Sequence, residues 1–381
     1  MKTITVSQLG DVITGHTPPT SNREYYGDAY LFLKPTDMII GSKYTRVTEE
    51  GYSDLAVKKY KSSLIPKGST CVVCIGTLGE KMTMAHCDLF TNQSINSIIP
   101  GKDYDPDYVY YLLKYNLHRV KALNKGTASG REFVSKSTFV DLEIDVVDSL
   151  EEQKRIGRFL STFDDLIENN QKQIKLLEEA AQRLYKEWFI DLRFPGHEST
   201  PIHDGIPEGW ERKTVGELIG KVHRTTQIMT SDYLDDGDIP VIDQSRDFIA
   251  GYTNDSDSLV DLGTPVIVFG DHTRILKYIT FPFAKGADGT QLIISADVHM
   301  PQSLLYCSLI NVDLSNYHYA RHFKYLKAEE ILVPAIDIAK SFEQFTAPVF
   351  EQIQCLRDKC LQAAHTRDRL LPKLMSGEIE V

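Results

Sequence analysis

The chain has 381 residues, more than one ordinary domain holds, and its 42% hydrophobic and 25% charged residues are those of a folded globular protein. A net charge of −11 argues against a lone, tight, non-specific nucleic-acid binder. No apolar run approaches the roughly 20 residues that span a bilayer, and MKTITVSQLGDVITGH lacks a signal-peptide core, so a cytoplasmic location is expected.

Residues 1–148 read as a strand-rich, mixed α+β part with balanced charge. The short apolar stretches YLFLK, TCVVCI, INSIIP and LEIDVV are punctuated by Gly, Asn, Asp and Pro, and PDYVYYLLKYNLHRVKAL (106–123) reads as helix. Cys71 and Cys74 have metal-like spacing, but no second pair completes a tetrahedral site. They read as core thiols of a buried strand, and no metal is expected.

Residues 149–191 change in kind. Leu160, Ile167, Ile174, Ala181 and Trp188 form one apolar row at heptad spacing, and Ile156, Phe163, Leu177 and Leu184 form a second, with Asn170 its polar member. Two such rows make a coiled-coil seam, and one buried Asn fixes register at a cost in stability. A helix of about 38 residues reaches on the order of 55–60 Å. A Pro- and Gly-rich linker, 192–210, follows.

The second globular part, 211–338, is again strand-rich, with IPVI, TPVIVFG, YITFPF and QLIISA. Residues 200–338 carry 11 Lys+Arg against 20 Asp+Glu, so most of the acid excess lies here. The last segment, 339–381, repeats the helical seam. Val349, Leu356, Ala363 and Leu370 form one row; Ile353, Cys360 and Leu374 form the other, which Arg367 interrupts. Pro348 is expected in its first turn and Pro372 near its end. The two helices pair most simply as an antiparallel coiled coil; the alternative is two amphipathic helices, each packed on its own domain.

These segments repeat one design. LIPKGSTCVVCIG (64–76) aligns without gaps on LVDLGTPVIVFGD (259–271), VSQLGDVI (6–13) matches VGELIGKV (215–222), and Glu152-Gln153 matches Glu343-Gln344. Order holds while the offset drifts, as when surface loops change length around fixed elements. The second part is the shorter one.

Catalytic motifs are missing: no G-x-x-x-x-G-K-[ST], no G-x-G-x-x-G after a strand, no Asn/Asp-Pro-Pro-aromatic tetrapeptide, no G-x-S-x-G and no H-E-x-x-H. Glu211-Arg212-Lys213 gives half of a nuclease motif without its acidic partner. The chain reads as a recognition protein, not an enzyme.

Four stretches then carry a resemblance. EEQKRIGRFLSTFDDLIENN (151–170), RLYKEWFIDLRFPGHE (183–198), IPEGWE (206–211) and LLPKLMSGEIEV (370–381), set in this duplicated layout, resemble the specificity subunits of type I restriction-modification systems. The resemblance implies two target-recognition domains related by a near two-fold, with the two helices as spacer, each domain reading half of a split double-stranded DNA target. It also implies two modification subunits that methylate adenine, and restriction subunits. S-adenosylmethionine, ATP and Mg would act in those partners, with none bound by this chain. A stand-alone DNA-binding or scaffold protein, or the recognition part of a related system with fused chemistry, remains open.

Base edges are read by Arg, Lys, Asn, Gln, Ser and Thr on exposed loops. In the first part the candidates are Lys34, Tyr44, Arg46, Thr77, Lys81 and Gln93, with the Gly-flanked polar loop Lys125, Thr127, Ser129 and Arg131, of a kind common in that family. In the second they are Gln244, Arg246, His272, Thr273, Arg274, Gln291, Tyr319, Arg321, His322 and Lys324. Asp271 is read as capping a turn.

Overall fold

The computed structural model describes residues 1–124, 126, 132–223, 225–286, 289–317 and 321–381. They form two compact units, residues 1–169 with 359–381 and residues 170–358. Each unit joins one strand-rich part to portions of both long helices.

The first unit runs β1 (Lys2–Thr5), β2 (Gly10–Thr14), β3 (Tyr26–Leu33), β4 (Glu50–Tyr52), α1 (Asp54–Lys59), β5 (Thr70–Val73), β6 (Met82–Met84), β7 (Phe90–Thr91), β8 (Ile95–Pro100), α2 (Pro106–Tyr115), α3 (Leu117–Ala122), α4 (Lys136–Val140), β9 (Glu143–Val146) and the first part of α5 (Leu150–Tyr185). β1 pairs antiparallel with β9, clasping entry to exit, and Thr5 and Gln8 close a reciprocal capping box. One antiparallel sheet has the order β2-β8-β5-β6; in the other, β4-β3-β7, strands β3 and β7 run parallel. β5 is buried on both faces, which is why TCVVCI is an unbroken apolar run rather than an alternating one. Cys71 and Cys74 are free thiols in this core, pushed up to about 12 and about 11 by burial.

In the second unit a small hairpin, β10 (Ile202–His203) with β11 (Ile206–Pro207), precedes β12 (Glu211–Thr214), α6 (Val215–Leu218), β13 (Ile239–Ile242), β14 (Gly251–Thr253), β15 (Leu259–Val260), β16 (Val266–Gly270), β17 (Leu276–Ile279), β18 (Phe283–Lys285), β19 (Thr290–Ile293), α7 (Gln302–Ile310), α8 (His322–Ala328), β20 (Glu330–Val333) and the first part of α9 (Ile336–Met375). The plan of the first unit recurs in its details. β12 clasps β20, Thr214 and Glu217 form the capping box, β16 lies between β17 and β19 as β5 lies between β6 and β8, and β13 runs parallel to β18 as β3 does to β7. Asn116 and Asn311 cap α2 and α7 alike, each side-chain amide donating to a carbonyl four residues back at 2.8 Å.

In the first unit Ile156 and Leu160 of α5 share a core with Leu371, Leu374 and Met375 of α9; in the second, Ala181 and Tyr185 share one with Ala339, Phe342, Phe350 and Ile353. Early α5 thus meets late α9 and late α5 meets early α9, which is antiparallel pairing, as the heptad spacing predicts. Asn170 is buried.

Three sequence expectations are corrected here. Pro348 is not in the first turn: α9 starts at Ile336, because Ile338, Ala339 and Phe342 already bury against the core of the second unit. Pro348 is tolerated because the carbonyl it leaves unpaired belongs to Gln344, a residue exposed to water. Arg367 does not interrupt the seam but belongs to it. Its guanidinium is 2% exposed, donates to Asp164 on α5 and holds both oxygens of Asp368 at 2.9 and 3.0 Å. The Gln153/Gln344 match is not mirrored in packing: Gln153 is buried, accepting from the amide of Asp105 and donating to the carbonyl of Val147, whereas Gln344 is exposed.

Candidate nucleic-acid interface

In each unit three loops meet at the same corner of the fold. In the first unit the chain leaves β3 beside the end of β7, where the Asn92 amide donates to the Leu33 carbonyl at 3.1 Å. In the second it leaves β13 beside β18, where the Gly286 amide donates to the Ile242 carbonyl at 2.8 Å. The third loop follows β5 or β16. It is tied down by Lys81, whose ammonium donates to the Pro35 carbonyl at 2.8 Å, and by its counterpart Lys277, which donates to the Asp247 carbonyl. These lysines are equivalent in register, since Val73 lies beside Lys81 as Val268 lies beside Lys277.

The corner of the second unit encloses a polar pocket of about 360 Å³ lined by Gln227, Asp271, His272, Lys285, Gln291 and Arg321, with Gly289 and Thr290. Gln244 stands beside it, accepting from the His272 amide through Oε1 at 3.1 Å and from the Thr273 hydroxyl through its carbonyl at 2.7 Å. The approach is close. Gly289 has φ +86°, and a Cβ there would lie 2.7 Å from both Gln244 Nε2 and His272 Cδ2, so only glycine fits. Of the residues proposed from sequence, the structure brings Gln244, His272, Thr273, Gln291 and Arg321 together.

The others in this unit lie elsewhere. His322 is buried: its Nδ1 lies 2.8 Å from the Asp271 carbonyl, its Nε2 3.2 Å from the Tyr317 carbonyl, and its amide donates to Asp271. Asp271 Oδ1 accepts from the Phe323 amide at 2.7 Å and so caps the start of α8. Arg274, at φ 61°, donates to the Tyr317 carbonyl at 2.8 Å. Lys324 is exposed on α8, Arg246 lines a different pocket, and Tyr319 lies outside the described residues. Gln227 and Lys285 join the corner without having been legible in sequence, since nothing local marks Gln227 and Lys285 ends an apolar strand.

In the first unit Lys34, Lys81 and Gln93 gather at the corner, with Thr77 exposed on the loop after β5. Lys34 is held by Glu49 at 3.0 Å and Glu50 at 3.2 Å, which cancel much of its field, and Gln93 accepts from the Thr17 hydroxyl. Tyr44 and Arg46 lie against α5 instead. Arg46 makes a bidentate pair with Glu168 at 2.5 and 2.8 Å and covers the Tyr44 ring at 4.8 Å. Lys125, Thr127, Ser129 and Arg131 lie outside the described residues. Lys213, from the half nuclease motif, spans Glu211 at 2.7 Å and Asp297 at 2.8 Å.

The arrangement is one of amides, imidazole, ammonium and guanidinium groups around a concave polar surface, which suits hydrogen bonding to base edges and phosphates. Among the described residues no group of three or more His, Cys, Asp or Glu is placed to hold a metal ion. Residues 1–179 match the family model of the type I restriction modification DNA specificity domain. Over 99% of this chain and 93% of its own length, the specificity subunit of the type I restriction enzyme MjaIX from Methanocaldococcus jannaschii is 28% identical. Over nearly its whole length the chain is thus similar to a type I restriction-modification specificity subunit. The HindI specificity subunit of Haemophilus influenzae is 31% identical over 43% of this chain and 36% of its own. The crystal structure of a type I system S subunit from M. genitalium has the same fold, with a TM-score of 0.57 at 18% identity over 98% of this chain and 95% of that one. No helix among the described residues is long and apolar enough to cross a membrane.

Proposed function

We propose that this chain is a specificity subunit and reads a bipartite double-stranded DNA target, one half-site per globular part, with the paired helices setting the gap between half-sites. The observation that carries the reading is the duplicated corner: the same three loops, hung on the same parallel strand pair, present polar side chains in both units. Two copies of one reader in a single chain suit two half-sites about one helical turn apart on a DNA face.

Two modification subunits dock on the chain and methylate adenine, one per half-site, and restriction subunits join them in a cytoplasmic complex. S-adenosylmethionine, ATP and Mg act in those partners. Charge supports this division of labour. The segment 200–338 carries 20 acidic against 11 basic residues, so positive surface from partners that surround the duplex supplies the phosphate affinity this part lacks.

The test is to assemble the chain with its modification subunits, footprint the complex, and sequence adenine methylation genome-wide in the host. A split motif protected in both halves is the expected result. A single undivided motif, or protection by the modification subunit alone, overturns the reading.

A further inference from the structure

The repeat exposes a difference between the units. In the first, the connection from β3 to β4, residues 34–49, folds back onto the helices. Lys43 is buried there, its ammonium paired with Asp107 at 2.5 Å and Ser161 at 2.7 Å and 5.1 Å from the Tyr111 ring centroid. The same connection gives Arg46 to Glu168 of α5 and the Gly41 carbonyl to Arg367 of α9. It also adds to the sheet edge, where the Met84 amide donates to the Lys43 carbonyl at 2.7 Å. This extended segment thus fills the space between α2, β6 and the helices.

In the second unit the corresponding connection, residues 243–250, is half as long and stops short. The space it leaves is a groove of about 560 Å³ between α7, β17 and the helices, with Tyr306 at the position of Tyr111. Its floor is apolar: Phe248, Ile275, Leu276, Ile310 and Phe350. Its rim carries Lys175 and Arg246, with Arg357 in one wall, against only Glu178 and Glu179, although the surrounding segment is strongly acidic. Both acids are already engaged, Glu178 by Arg357 at 2.8 Å and Glu179 by Lys175 at 4.0 Å. Arg357 also covers the Phe248 ring at 3.9 Å, making one wall rigid and cationic.

We propose that this groove seats a short extended segment of a modification subunit, carrying an apolar side chain next to a carboxylate. It would take the place that residues 38–46 occupy in the first unit. The occupant's backbone runs along β17 as Lys43 runs along β6, its apolar side chain enters the floor formed by Phe248, Ile310 and Phe350, and its carboxylate meets Arg246 on the rim. The groove volume is that of a site for a few side chains. The proposal rests on the chain's working in a complex with modification subunits, and it gives the two units different contacts with otherwise like partners: one completed in cis, one in trans.

A photo-crosslinking amino acid at Ile310, which is exposed at the groove, tests this in the fully assembled complex, with the same probe at the exposed Leu55 of α1 as control. The expected result is one dominant adduct to a contiguous acidic–apolar stretch of the modification subunit from Ile310 and none from Leu55. Arg246→Glu should then lower that adduct at least several-fold while the melting temperature of the isolated chain is unchanged. Adducts confined to DNA or to this chain, or scattered over many partner sites, overturn the proposal. If no complex assembles, the functional reading itself falls. If the complex assembles and methylates a split target yet gives no adduct from Ile310, only the groove assignment falls.

Discussion

Lys277 and Lys81 leave equivalent strands and fasten equivalent loops, yet only Lys277 is sealed from solvent, with Asp243 the nearest carboxylate at 3.8 Å. Burial outweighs the attraction of Asp243 and Asp247 and brings its ammonium down to about 8. In the unfolded chain it would titrate near the ordinary value of about 10.4. Below pH 8 the group is charged in both states and burial disfavours the folded one; as pH rises from 8 toward the lysine range the folded state gains stability. In a reductively methylated sample the Lys277 resonance should therefore titrate near pH 8, well before the exposed lysines. The wild type should also gain on Lys277→Met in melting temperature between pH 8 and 10. Titration of Lys277 with the bulk lysines would show that its burial is not maintained in solution.

Arg321 and His322 are neighbours with opposite surroundings, so substituting each separates reading from folding. Arg321 is exposed at the pocket, and Arg321→Ala should weaken specific binding of the assembled complex by about 1–3 kcal/mol with little change in stability. His322→Ala should lower stability first, because it removes the buried imidazole that lies between the Asp271 and Tyr317 carbonyls and leaves the Asp271 carbonyl only the backbone amide. Equal specific affinity for Arg321→Ala and wild type, measured by titration, would remove Arg321 from the interface. Such distinctions were legible only in part. Gln244, His272 and Thr273 could be singled out because they follow apolar strands in turn-rich sequence. Nothing local to His322 or Arg46 shows that Asp271 or Glu168, far away in the chain, will claim them.

At the scale of elements, the seam of α5 and α9 was readable because heptad spacing is a local property. The chemistry of its polar members was not, because it is decided across the pair. Arg367 reads as a flaw until Asp164 is found opposite, itself accepting from the Tyr111 hydroxyl. Removing one partner of a buried pair leaves the other charge desolvated and unpaired. Arg367→Ala should thus cost about 3–5 kcal/mol. The double change Arg367→Met with Asp164→Leu should recover most of that loss, since apolar groups of similar volume need no partner. Chemical denaturation of the three proteins decides this, and a single variant as stable as the double one would mean the pair is solvated. Pro348 has the same lesson in reverse: proline statistics place it at a helix start, but the core contacts of Ile338, Ala339 and Phe342 extend the helix past it.

At the scale of the whole molecule, the duplication was legible in two sequence blocks that take equivalent places in the two units, 6–13 with 215–222 after the first clasp strand and 64–76 with 259–271 around the central strand, whereas the match of Gln153 with Gln344 has no counterpart in packing. What sequence could not show is how the compact units divide the helices. The first unit closes with residues 359–381, where Leu371, Leu374 and Met375 enter the same core as Tyr108, Tyr111 and Leu160. Deleting 359–381 removes the last residues of the chain, yet it should damage the unit that contains the first. Hydrogen exchange should rise in α2 and in residues 150–169, because their apolar faces lose the surface they bury against, while β16, β17 and β19 of the second unit keep their protection. Adding the missing segment back as a peptide should restore that protection, since the core it completes is otherwise intact. If exchange instead rises throughout 170–358 while residues 1–169 stay protected, the end of α9 belongs to the second unit alone and the two units divide elsewhere.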